Sequence, residues 1–148
     1  MPGIPSLIAI NHDDYHASGI GHTQDGRQFF LTTPFVPALG GEPGREFLAL
    51  YLFNDVGDFL EAKIDDLGTR AQLDKDRARE LYAQRIKELG PVTNSRIEIA
   101  PFQVERFGIT FGLIPREPEN EDDPIWVELH PGNCMAFHEP WDSGDYDT

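Results

Sequence analysis

The chain has a single cysteine, Cys134, so no internal disulfide can form, and the lone thiol fits a reducing cytoplasm. Long apolar runs are missing too. The longest, residues 47–53, is seven residues, far short of the roughly 20 that cross a bilayer as a helix. No basic segment leads into a hydrophobic one near Met1, so neither a secretory signal nor a membrane partner is expected. Positive charge is scarce: 12 Lys and Arg face 26 Asp and Glu, for a net charge of −14. The last 32 residues hold ten acids and no Lys or Arg. With a Debye length of about 8 Å, such a surface repels phosphate where nucleic-acid contacts form, so direct binding of DNA or RNA is not expected. A basic protein or a cation would be attracted instead. Only residues 70–89 run the other way, with six basic and four acidic side chains.

What is present is enough for a core. At 39% apolar with ten Phe, a chain of this length buries roughly 70% of its unfolded surface and needs no metal or disulfide to do so. One domain over 1–148 is expected. Asp25-Gly26 between residues 18–24 and 27–36 is a hairpin signal, and Pro34 and Pro37 should end the second strand. Residues 37–45, with two Pro and three Gly, read as a surface loop. Residues 46–54 carry apolar side chains on both alternating sets, the pattern of a central strand covered on both faces. A turn at 54–57 and the alternation of Leu60, Ala62 and Ile64 over 58–65 make a second hairpin, followed by a loop at 66–73.

Asp74 is placed to cap a helix in which Ala78, Leu81, Tyr82, Ile86 and Leu89 keep a 3.6-residue period, and Gly90-Pro91 stops it. Further strands are expected at 96–104 with a bend at Pro101, at 106–114, at 125–129 and at 134–137. In the second of these, Phe107, Ile109, Phe111 and Leu113 alternate with Gly108, Thr110 and Gly112, and so bare a face should lie against a helix, a Trp or another backbone. The order ββββαβββ predicts an α+β domain: a single, largely antiparallel β-sheet with one main helix packed on one face. An acidic loop spans 116–124 and an acidic, aromatic tail spans 138–148.

Two clusters could carry chemistry. His12, Asp14, His16 and His22 are competent metal ligands, which makes a metal-dependent enzyme one alternative. No helix or fixed spacing gathers them, and a solvated loop is the plainer reading. His130, Cys134 and His138 could hold zinc or pair a nucleophile with a base, but Pro131-Gly132 breaks any helix that would align them. Phosphate-binding glycine loops, calcium loops, zinc-protease and serine-hydrolase motifs are absent. No cofactor is implied, and no signal identifies an enzyme.

The tail differs in character, because Trp141 and Tyr146 sit among Glu139, Asp142, Asp145 and Asp147. The aromatics either pin the segment to the domain or anchor a partner. The ending Pro140-Trp141-Asp142-Ser143-Gly144-Asp145-Tyr146-Asp147-Thr148 resembles that of small bacterial proteins, near PWDGxYDT. Some of these are labelled formate hydrogenlyase regulatory protein, HycA-like. The resemblance extends through the Asp25-Gly26 hairpin, residues 47–53 and residues 102–113, and departs by an inserted residue around Ser143-Gly144. It implies a regulatory role, which a charge of −14 directs toward protein rather than DNA. The leading expectation is a non-enzymatic acidic module that binds a basic protein through Glu117, Glu119, Glu121, Asp122, Asp123, Trp141, Asp142, Asp145, Tyr146 and Asp147. A toxin-neutralising immunity protein is one form of it.

Overall fold

Residues 47–53 are fully buried, and the rest of the architecture follows from how the two faces of this segment are covered. The computed structural model describes residues 4–148 except Glu117, Glu119 and Glu121. Strand β5 (Arg45–Phe53) pairs antiparallel with β3 (Gln28–Thr32) and, at its start, with β4 (Phe35–Val36) on one edge. Pro34 separates β3 from β4, and its carbonyl still accepts from the Phe47 N–H at 2.9 Å. On the other edge β5 pairs with β6 (Phe59–Thr69). Beyond β3 come β2 (Ile20–Thr23) and β7 (Val92–Asn94), completing six strands.

The helix α1 (Lys75–Leu89) covers one face of this sheet. Asp74 caps it by accepting from the N–H groups of Asp76 and Arg77, both at 3.1 Å, and Gly90 ends it at φ 75°. Leu81, Tyr82, Ile86 and Leu89 pack against Phe29, Leu31, Leu48, Leu50 and Leu52. Arg85 reaches over to Asp65 on β6 with two nitrogens and also meets Glu88, which Lys63 contacts in turn.

The opposite face presents Phe30, Phe47, Ala49, Tyr51 and Phe53 to a second β layer. That layer holds a two-stranded sheet of β1 (Ile8–Ile10) and β8 (Ile97–Ile99), and a four-stranded sheet in the order β12 (Ala136–Phe137), β11 (Trp126–His130), β10 (Ile109–Arg116), β9 (Phe102–Arg106). Every strand pairing is antiparallel. The class is therefore α+β, mostly antiparallel sheet with one helix on one face.

A single sheet is not what forms; there are three. The segment 96–104 divides at Pro101, which has no N–H to donate. The Ala100 N–H is drawn to the Gly57 carbonyl at 2.9 Å, so β8 turns to β1 while β9 starts a new ladder with β10. Phe107-Gly108 is a hairpin turn rather than strand, with φ values of 55° and 73°. The bare face at Gly112 lies against neither helix nor Trp. A Cβ there would stand 2.1 Å from the Phe102 carbonyl oxygen of β9. The first hairpin uses a three-residue loop, since the Thr23 N–H donates to the Arg27 carbonyl and only Gly26 takes a positive φ of 87°. Strand β6 continues through Thr69, beyond the boundary expected at residue 65. No helix among the described residues is long and apolar enough to cross a membrane.

Candidate interaction surface

The tail is tied to the body by its backbone. The N–H groups of Ala9 and Asn11 donate to the carbonyls of Trp141 and Gly144 at 2.9 and 3.0 Å, and Ala136 and Asp147 exchange two hydrogen bonds. Arg96 donates to the Asp142 carbonyl at 2.6 Å and to Asn11 Oδ1 at 3.0 Å. Gly144 is buried at φ 83°, and a Cβ there would meet the Asn11 amide at 2.3 Å. Only glycine fits. Trp141 and Tyr146 are half-buried against the main core, while Asp142, Asp145 and Asp147 remain exposed.

Tyr146 donates its hydroxyl to Asp13, whose carboxylate also accepts from the N–H groups of Tyr15 and Ala17. Burial alone would raise the Asp13 pKa, but these donors hold it below the usual carboxylate range. Burial and the neighbouring carboxylate push the Tyr146 phenol up to about 12. The ionised acid and neutral phenol thus hold each other. Because the folded Asp13 pKa is depressed, its contribution is present above about pH 4 and lost as pH falls. Tyr146→Phe is expected to lower stability by about 1 kcal/mol near neutrality. The deficit should shrink below about pH 3 in urea melts, and a pH-independent deficit would contradict this latch.

The four metal candidates are not gathered into a site. His12 Nε2 lies 3.1 Å from the Ser18 carbonyl, Asp14 is exposed, His16 packs beside Tyr15 and Tyr146, and His22 sits on β2 with Nδ1 2.7 Å from Ser95 Oγ. The second cluster is not gathered either. Cys134 is half-buried and its thiol is pushed up by burial, and His130 faces Glu128 at 3.9 Å. His138, raised by the Glu139 carbonyl and Asp147, holds the Asp147 carboxylate at 2.8 Å. Among the described residues no three His, Cys, Asp or Glu side chains are grouped to hold a metal ion.

The cations are mostly neutralised within the molecule. Arg27, Arg45, Lys63, Arg70, Arg79, Arg85, Arg96 and Arg116 each stand within ion-pair distance of a carboxylate. Arg70 and Arg85, which carry part of the positive balance of 70–89, are thereby absorbed by Glu46 and Asp65. Asp122 and Asp123 are exposed, with Asp123 accepting from the Asn120 amide at 3.1 Å; Glu117, Glu119 and Glu121 lie outside the described residues.

Beside this acidic loop stands a residue that no motif in the sequence marks. Trp126, at the start of β11, is 40% exposed, with its ring 6.4 Å from that of His138. Val127 and Leu129 are buried, and Trp126 shares the outward set with Glu128 and His130. The alternation Trp-Val-Glu-Leu-His was the available signal, because it puts the large ring on the polar face. No family model matches the chain, and no match is found among curated proteins or solved structures.

Proposed function

We propose that the protein is a non-enzymatic module that binds a basic protein, with Trp126 as the anchor and the acids of the loop and tail as the rim. The observation that carries this reading is a large aromatic ring left exposed on an acidic surface while the tail aromatics are occupied internally. Trp is over-represented among binding hot spots, where one side chain contributes 2 kcal/mol or more. Asp122 and Asp123 precede Trp126 by four and three residues in the chain, Asp147 is linked to it through His138, and Glu139, Asp142 and Asp145 are exposed along the tail. Carboxylates so arranged favour a cationic partner and speed its approach. A toxin-neutralising immunity protein in the cytoplasm would work this way, and so would a HycA-like regulator acting through protein contacts. Within the ending that resembles the HycA-like proteins, the carbonyls of Trp141 and Gly144 accept from the Ala9 and Asn11 N–H groups and so tie the tail to the body. Resemblance there speaks to how the chain folds more than to what it contacts.

The test is titration against basic proteins encoded by neighbouring genes, followed by Trp fluorescence and calorimetry. Raising salt from about 50 to about 500 mM is expected to weaken binding at least about tenfold. Trp126→Ala is expected to weaken it about thirtyfold at constant salt, while leaving the thermal midpoint near that of the native chain. Absence of binding at low salt, indifference to salt, or full affinity in the Trp126 variant would each reject the reading.

A further inference from the structure

The outward face of β11 meets the tail at one side chain. Val127 pairs with Phe137, so Trp126 lies across from His138, one position beyond the end of β12. The two ring centroids are 6.4 Å apart, with the planes inclined at 60°. At its other edge β12 is joined to the tail, where Ala136 and Asp147 exchange two backbone hydrogen bonds. His138 thus stands between the exposed Trp126 and the Asp147 carboxylate.

Both nitrogens of that ring face acceptors. Nδ1 lies 3.2 Å from the Glu139 carbonyl oxygen, and Nε2 lies 2.8 Å from Asp147 Oδ2. A neutral imidazole has one N–H and donates to only one of them, turning the lone pair of its other nitrogen toward an oxygen. The imidazolium donates to both, and its bond to Asp147 is charge-assisted. Only the protonated ring satisfies this arrangement. The Glu139 carbonyl and Asp147 accordingly hold the His138 pKa above its ordinary 6.5. The other charged groups on the strands beside it are paired among themselves. Glu128, opposite Ala136 on β11, stands 3.7 Å from Arg116 of β10 and 3.9 Å from His130, while the Glu139 side chain is exposed.

We infer that His138 is a proton-operated gate on the binding surface: protonated, it occupies Asp147 and stands against Trp126, and deprotonated, it yields both to the cation of a basic partner. This inference rests on the function proposed above. The His138 and Asp147 side chains are 45% and 64% exposed, so protons and a competing cation reach both. An ion pair so exposed is weak enough for a partner's Lys or Arg to displace. While charged, His138 supplies the surface with a cation of its own and neutralises one carboxylate of the rim. The contact is complete below about pH 6.5, the ordinary value for the ring, and is lost as pH rises through the raised one. One of the two hydrogen bonds then fails, and the surface beside Trp126 becomes more negative by one charge. Binding of a basic partner should strengthen in the same direction.

The experiment is a pH titration of the full-length, isotope-labelled chain followed by imidazole and indole NMR. Both His138 ring nitrogens are expected to carry protons at about pH 6, with a midpoint that falls in Asp147→Asn. The Trp126 indole resonance should move with the same midpoint and stand still in His138→Gln. A single protonated nitrogen at about pH 6, a midpoint unmoved by Asp147→Asn, or a Trp126 titration that survives in His138→Gln overturns the inference. With the basic protein found by the titrations above, affinity is expected to rise about threefold from about pH 6 to about pH 8.5 in the native chain and to stay level in His138→Gln. Loss of affinity in Trp126→Ala without pH dependence in the native chain removes the gate and keeps the proposed function. Absence of any basic partner, with the ring titrating as expected, removes the proposed function and the gate with it.

Discussion

Phe102→Ala is expected to cost about 3–5 kcal/mol of stability, read as a fall in the urea midpoint at unchanged slope. Phe102 opens β9 and is 7% exposed. Its ring meets Tyr51 and Phe53 of β5 edge-on at 4.7 and 5.2 Å and stacks on Phe59 of β6 at 4.9 Å. Three rings from the six-stranded sheet thus converge on one ring from the second layer. Aromatic pairs of this kind contribute about 0.5–1.5 kcal/mol each beyond the area they bury. Truncation removes them together and leaves a void bounded by two stiff sheets that cannot collapse into it. Phe102→Leu should recover about half of the loss, since it refills much of the volume without the ring geometry. A cost under about 1 kcal/mol for the alanine variant would mean that the two layers do not depend on this cluster.

Gln28→Ala is expected to cost about 2–3 kcal/mol by the same measurement. The side chain is one of the few buried polar groups, and it satisfies three backbone groups of the 54–58 turn and β8 at once. Removing it strands the Glu98 N–H and two carbonyls, and the surface cleft that Gln28 lines lets water rescue only part of them. Gln28→Glu separates donor from acceptor roles. A carboxylate still accepts from the Glu98 N–H but faces the Asn54 and Glu98 carbonyls with no proton to give. Its pKa in the folded chain would rise, so the variant should be least impaired below about pH 4 and most impaired at neutrality. A Gln28→Glu variant equally stable at pH 4 and pH 7, relative to native, would refute this account.

Legibility tracked the range of the interactions involved. Asp74, the helical period through Leu89 and Gly90 delimit α1 through groups within a turn of one another, and those were readable. The two apolar sets of residues 47–53 announced a strand covered on both sides, and the two core clusters divide along those sets. Phe107-Gly108 was misread as strand because the aromatic alternation continues through it, while the positive φ of Phe107 is set by its hairpin and by stacking on Phe47 at 5.9 Å. Strand β7 went unread because three residues carry almost no pattern; its pairing to β2 creates it. For the surface, the tail aromatics drew attention as the only large rings in an acidic terminus, and Trp126 drew none because it looked like one more apolar residue of a strand.

The sequence by itself determined the net charge, the capped helix, the central doubly covered strand and the antiparallel α+β character, because caps, periods and turn residues act over a few positions. Only the tertiary structure decided that Pro101 divides one strand between two sheets, that Arg85 spends its charge on Asp65, that Tyr146 is bound to Asp13, and that Trp126 faces solvent. Each of those depends on partners far away in the chain, and no local pattern specifies which distant backbone or carboxylate a group will meet.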